Sequence, residues 1–143
     1  MSKTYVSATL RRTVEERAHD CCEYCLQPGI FSFSAHQIDH VIAEKHGGQT
    51  VKDNLALACK LCNTLKGSDI ASVDPQTQKI TRLYQPRKDH WQTHFQYRNG
   101  KLVPLTAIAR TTVWLLQLNR SNRLQERPLW IASGLIYFLQ STE

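Results

Sequence analysis

Missing from this sequence is any run of about 18 apolar residues, the length a helix needs to cross a bilayer. The longest apolar stretch, "PLWIASGLIYFL" at 128–139, is too short and reads as a buried helix. The N-terminal "MSKTYVSATLRRTVEE" lacks the apolar core of a signal peptide, so the expectation is a cytoplasmic protein with no membrane partner. No internal repeat and no low-complexity tract is present, which argues against a solenoid or a compositionally biased tail. Acidic residues are scarce in one half only. Residues 1–72 carry eight Lys or Arg against eight Asp or Glu, and residues 73–143 carry ten against four. The net charge of +6, which suggests a polyanionic partner, therefore arises downstream.

What is present is 143 residues, about one domain, with 41% hydrophobic residues and a core small enough to need a brace. Five cysteines supply one. In a reducing compartment they argue for metal or catalysis rather than disulfides. Cys22-Glu-Tyr-Cys25 and Cys59-Lys-Leu-Cys62 each leave two residues between sulfurs, so one tight turn aims both thiolates at a tetrahedral ion about 2.3 Å away. The 33 residues between the pairs suit a hairpin insertion. Structural Zn²⁺ on Cys22, Cys25, Cys59 and Cys62 is expected, with Cys21 a bystander or a substitute for Cys22.

The surrounding pattern predicts a helix over 7–20, where Leu10, Val14 and Ala18 recur at four-residue steps behind Ser7 or Thr9 as N-cap. A strand lies within "FSFSAHQIDHVIA", a loop over 44–54, a short strand over "LALAC", and a helix starts at Lys60 and is lost near Gly67. The segment 72–90, with two prolines, reads as a surface connector. Asn99-Gly100 marks a hairpin, Thr106 caps a helix over 107–119, and a last helix is expected to enter at Pro128.

Phosphodiester hydrolysis needs a base for water, a divalent cation on the phosphate and hard ligands for that cation. "IDHVIAEKHGG" and "ACKLCN" supply them. A free imidazole has a pKa of about 6.5, so a histidine at position 40 suits the acceptance of a proton near neutrality. Asp39 offers an anionic oxygen and Asn63 a carbonyl oxygen, a set that suits Mg²⁺ or Mn²⁺ with water and phosphate completing the shell. Zinc would brace the helix that carries Asn63.

These residues resemble an HNH endonuclease of the ββα-metal fold with a four-cysteine zinc site, on "CCEYC", "IDHVIAEKHGG", "DNLALACKLCN" and "LKG", over residues 10–70. The resemblance implies His40 as general base, Asn54 as the residue that orients the His40 loop, and Asp39 and Asn63 as ligands of the catalytic metal. Asn63 stands where the family name has His. It also implies DNA as substrate, with a 5′ phosphate and a 3′ hydroxyl as products. The segments 74–97 and 105–120, with Arg127 before "PLW", also resemble a tail attached to some bacterial, often cyanobacterial, HNH proteins. Its basic excess and Trp91, His94, Phe95 and Tyr97 would suit an arm that tracks the DNA backbone, with Arg120, Arg123 and Arg127 on one helix face; a solvated basic surface is the plainer account.

The fold expected is α+β: a small zinc-braced ββα-metal nuclease core over 1–72 with an N-terminal helix, and a basic extension over 73–143 of hairpin plus helices, packed on the same core or separate. His36, His46 and Lys66 are candidate substrate contacts, each with a plainer account: packed for His36, exposed for the other two. DNA, double-stranded, is the expected partner, and the sequence leaves open whether a homodimer forms. The rival reading is a non-catalytic zinc module that binds nucleic acid. It parts from the nuclease at Asp39, His40 and Asn63, since a pure binder needs no base flanked by two hard oxygens. A protein-interaction adaptor is disfavoured by the charge.

Overall fold

Ser7 opens the first helix by accepting the Leu10 N–H at 3.1 Å, one of the donors a helix start leaves without an intrahelical partner. In the computed structural model, which describes residues 4–136, α1 then runs Ala8–Arg17. Its Leu10 and Val14, with the following Ala18, bury against Leu55, Leu57 and Ile38. Those partners belong to an antiparallel pair, β1 (Gln37–His40) and β2 (Leu55–Ala58), in which Asp39 lies opposite Ala56 and His40 opposite Leu55. Strand alternation sends Ile38 and His40 toward α1 and Gln37 and Asp39 to the other face.

That other face meets α2 (Lys60–Lys66), whose N-cap is Cys59: its Sγ accepts the Cys62 N–H at 3.4 Å. The helix stops at Gly67, held at φ +52°. Strand, strand and helix with cysteines at the junctions form the expected ββα unit, and the chain is α+β.

Downstream the structure departs from the sequence reading in three places. The supposed connector folds into a hairpin of β3 (Ala71–Val73) and β4 (Ile80–Arg82), turned by Asp74, whose carboxylate accepts from Gln76 N and Thr77 Oγ1. After α3 (Trp91–His94), β5 (Phe95–Arg98) and β6 (Lys101–Pro104) pair around Asn99 and Gly100, both at positive φ as the expected turn demands. Thr106 caps α4 (Ala107–Leu116) through the Ala109 N–H. The last helix, α5 (Ser121–Ala132), begins seven residues before Pro128 and contains it. Pro128 cannot donate to the Leu124 carbonyl, and that carbonyl lies against Gly100, where a Cβ would sit 2.7 Å from it. The end of the 128–139 apolar stretch, residues 137–139, lies outside the described residues.

The third departure concerns the supposed DNA-tracking aromatics. Trp91, Phe95 and Trp130 sit in one buried cluster with Cys22, Tyr24, Cys25, Cys59, Cys62, Leu102, Ala109, Leu116 and Ile136, and Tyr97 packs against it. His94 is also buried, with Nδ1 on Thr106 Oγ1 at 2.7 Å. These side chains are core because the extension packs on the zinc knuckles. Among the described residues no helix is long and apolar enough to cross a membrane.

Candidate active site and zinc centre

Cys22, Cys25, Cys59 and Cys62 are all buried, and their Sγ atoms lie within 4.8 Å of one another. Two turns contribute equally: Cys25 N–H donates to Cys22 Sγ and Cys62 N–H to Cys59 Sγ, both at 3.4 Å. Hydrogen bonds from Cys22, Cys25 and Cys62 hold the Cys59 thiol far below the ordinary thiol range, the signature of a cluster that shares negative charge. Four convergent soft donors fit Zn²⁺. Cys21 stands outside. Its thiol donates to the backbone of His19 and Leu135, and burial pushes its pKa up to about 11.

Helix α5 closes this centre from above, which no local sequence signal showed. Arg127, fully buried, donates to the carbonyls of Cys25 (3.3 Å), Gly100 (2.7 Å) and Leu118 (2.6 Å). Arg123 Nη2 approaches Cys59 Sγ at 3.4 Å. Of the three arginines expected on one DNA-facing surface, only Arg120 is exposed.

Asp39 lies between the knuckle and α2. Tyr24, inside the first cysteine pair, donates its hydroxyl to Asp39 Oδ2 at 2.8 Å, and Lys66 Nζ sits 3.3 Å from Oδ1. The same ammonium reaches the carbonyls of His40 at 3.3 Å and Val41 at 3.1 Å. Lys66 is 2% exposed, so its three donors serve these acceptors rather than a surface phosphate. Burial raises the Asp39 pKa, with Lys66 and Tyr24 opposing. One turn back on α2, Asn63 Nδ2 donates to Gln37 Oε1 at 2.6 Å, its main-chain carbonyl accepts from Gly67 N at 2.9 Å, and its side-chain Oδ1 accepts no hydrogen bond among the described residues.

His40, beside Asp39 at the end of β1, turns to the α1 face, and among the described residues its ring makes no hydrogen bond to Asp39 or Asn63. The ring is 7% exposed and held by Thr50, whose Oγ1 is 2.9 Å from Nε2. Asn54 fastens the loop between them. Its Oδ1 accepts from Ile42 N, and Nδ2 donates to the carbonyls of Ile42 (3.0 Å) and Gln49 (2.9 Å). The double glycine serves the same loop in two ways. Gly47 sits at φ +91°, and a Cβ on Gly48 would lie 1.7 Å from the Ile42 carbonyl oxygen.

His36 is a packed histidine, donating Nε2–H to the Gln27 carbonyl at 2.7 Å, and is too buried to meet a substrate. His46 is exposed, in the turn Glu44–His46. Sequence reasoning missed Tyr24, Gln37, Thr50 and the arginines of α5. Only Tyr24 had a signal, its place inside the first cysteine pair beside the metal turn.

Against protein-family models, residues 22–69 match the one described as HNH endonuclease. No curated protein and no solved structure matches the chain. The matched residues hold both cysteine pairs, the Asp39-His40 strand end, Asn54 and Asn63, and the chain therefore carries an HNH endonuclease domain over 22–69, a domain of nuclease type.

Proposed function

We propose that the protein is a metal-dependent endonuclease acting on double-stranded DNA. The observation that carries this reading is the His40 ring, pinned through one nitrogen by Thr50 at a strand end whose preceding residue, Asp39, faces the helix of Asn63 from the other side of the strand. In the tautomer that donates Nε2–H to Thr50, Nδ1 keeps its lone pair and has no hydrogen-bond partner among the described residues, the state a general base requires. Nδ1 takes a proton from water as the oxygen attacks phosphorus in line with the 3′ oxygen, which leaves; a 5′ phosphate and a 3′ hydroxyl result. Asn54 positions the base by fixing the loop from Ile42 to Gln49.

Asp39 lies on the face of β1 that meets α2, the helix of Asn63, and the Asn63 side-chain Oδ1 together with the remaining lone pairs of Asp39 would hold a Mg²⁺ or Mn²⁺ ion. Held there, such an ion would supply charge for the developing negative oxygens. Tyr24 and Lys66 orient the Asp39 carboxylate from two sides. The zinc centre anchors the start of α2 and with it Asn63.

Supercoiled plasmid incubated with zinc-loaded protein tests the proposal. Cleavage in Mg²⁺, its loss in EDTA and its return on added Mg²⁺ are expected, with ends that ligate without prior phosphorylation. One observation favours a second reading, a non-catalytic zinc module that binds nucleic acid: the Lys66 ammonium already balances Asp39. Retained plasmid with no cleavage under any divalent ion would select it.

A further inference from the structure

We propose that Arg123 is the outer-sphere cation of the four-cysteine centre, so that α5, some 60 residues downstream of the second knuckle, sets how tightly zinc is kept and how reactive its sulfurs are. Zinc with four thiolates carries a net charge of −2, and Arg123 Nη2 lies 3.4 Å from the sulfur of one of the four, Cys59. The guanidinium is 6% exposed, with its carbon 5.4 Å from the Trp130 ring centroid, so it is held in place and shielded from water. Its nearest carboxylate, Glu126, stands off at 3.9 Å and is half in solvent. Arg127 takes no share of this role, because its donors go to backbone carbonyls and to Asn119 Oδ1; it fixes α5 on the first knuckle and so fixes where Arg123 can reach.

An N–H donor on a zinc thiolate withdraws charge from sulfur. Zinc is then lost more slowly, and sulfur attacks electrophiles less readily. The inference rests on the cysteine cluster and not on phosphodiester cleavage, so it survives if the nuclease reading fails.

The test uses the zinc-loaded full chain and its Arg123→Gln and Arg123→Lys variants. Zinc transfer to a chromogenic chelator should be faster in R123Q by about 10- to 100-fold, the usual effect of removing an outer-sphere partner. Alkylation by N-ethylmaleimide, mapped by mass, should gain most at Cys59, and R123K should keep most of the wild-type protection. Zinc transfer and alkylation unchanged in R123Q, or R123K indistinguishable from R123Q, would overturn the proposal. Cobalt-loaded protein adds a readout that packing alone would not move: the thiolate-to-cobalt charge-transfer band should shift to lower energy in R123Q, and less in R123K. If R123Q fails to fold, Arg123→Met takes its place, and an unshifted band with unchanged zinc transfer there contradicts the contact.

Discussion

Replacing Lys66 by Met isolates the most demanding interaction in the nuclease domain. The substitution keeps an unbranched side chain of similar length and deletes an ammonium that reaches Asp39 Oδ1, the His40 carbonyl and the Val41 carbonyl at 3.1 to 3.3 Å, in a place 2% exposed. It leaves a buried carboxylate with Tyr24 as its one partner. Breaking a buried pair in this way costs about 4 kcal/mol. A chain of this size has roughly 5–15 kcal/mol in all, and each kcal/mol moves the melting midpoint by about 4 °C, so a fall of roughly 15 °C is expected at pH 7. The pH dependence follows from the sign of the Asp39 shift. Burial already raises that carboxyl above its ordinary value while Lys66 opposes the rise, so losing Lys66 raises it further. A carboxyl raised in the folded state contributes stability that is present below its unfolded pKa and lost as pH climbs through the folded one. The deficit of Lys66→Met should therefore shrink on going from pH 7 to pH 5. Thermal melts of zinc-loaded protein at both values measure it. A midpoint within about 2 °C of wild type at pH 7, or a deficit that grows in acid, would refute the buried pair.

Asn54→Ala should lower stability by about 2–3 kcal/mol through three lost hydrogen bonds, and should slow plasmid cleavage while one zinc per chain remains by metal analysis. Gly48→Ala should abolish cleavage with zinc retained, because the new methyl meets the Ile42 carbonyl and the loop must open; wild-type activity would contradict the close approach. At the far side of the fold, Arg110 holds the Asp74 carboxyl below the usual carboxylate range. That pair stabilises above the ordinary carboxylate pKa and is lost as pH falls through the depressed value, so Asp74→Asn should flatten the acid side of the stability curve, read by melts between pH 2 and pH 5.

The parts of this fold that were legible in the sequence depend on neighbours a few residues away. The Ser7 cap, the two cysteine turns, the Asn99-Gly100 hairpin and the start of α2 are of this kind, and the hairpin at Asp74 has a local signal too, its turn-forming carboxylate, masked by the two prolines of its segment. What was not legible depends on partners far along the chain. Lys66 looks like a surface cation until β1 is laid across α2, and Arg127 looks like a DNA contact until it is found on the carbonyl of Cys25, 102 residues away. Charge counting misled for the same reason. Several cations of the second half face internal partners: Arg82 and Arg110 face carboxylates, Arg123 faces sulfur, and Arg127 faces backbone. In the candidate site, the adjacency of Asp39, His40 and the cysteines was plain, whereas the two faces of β1 on which Asp39 and His40 lie emerge only from strand register.

The central claim is that the His40 imidazole does the chemistry while the zinc centre only braces the helix beside it. Plasmid cleavage in Mg²⁺ by His40→Ala, compared with wild type at equal zinc content and equal DNA retention, tests it directly. The account predicts that cutting falls to background while retention and zinc stay unchanged; cutting at the wild-type rate would contradict it.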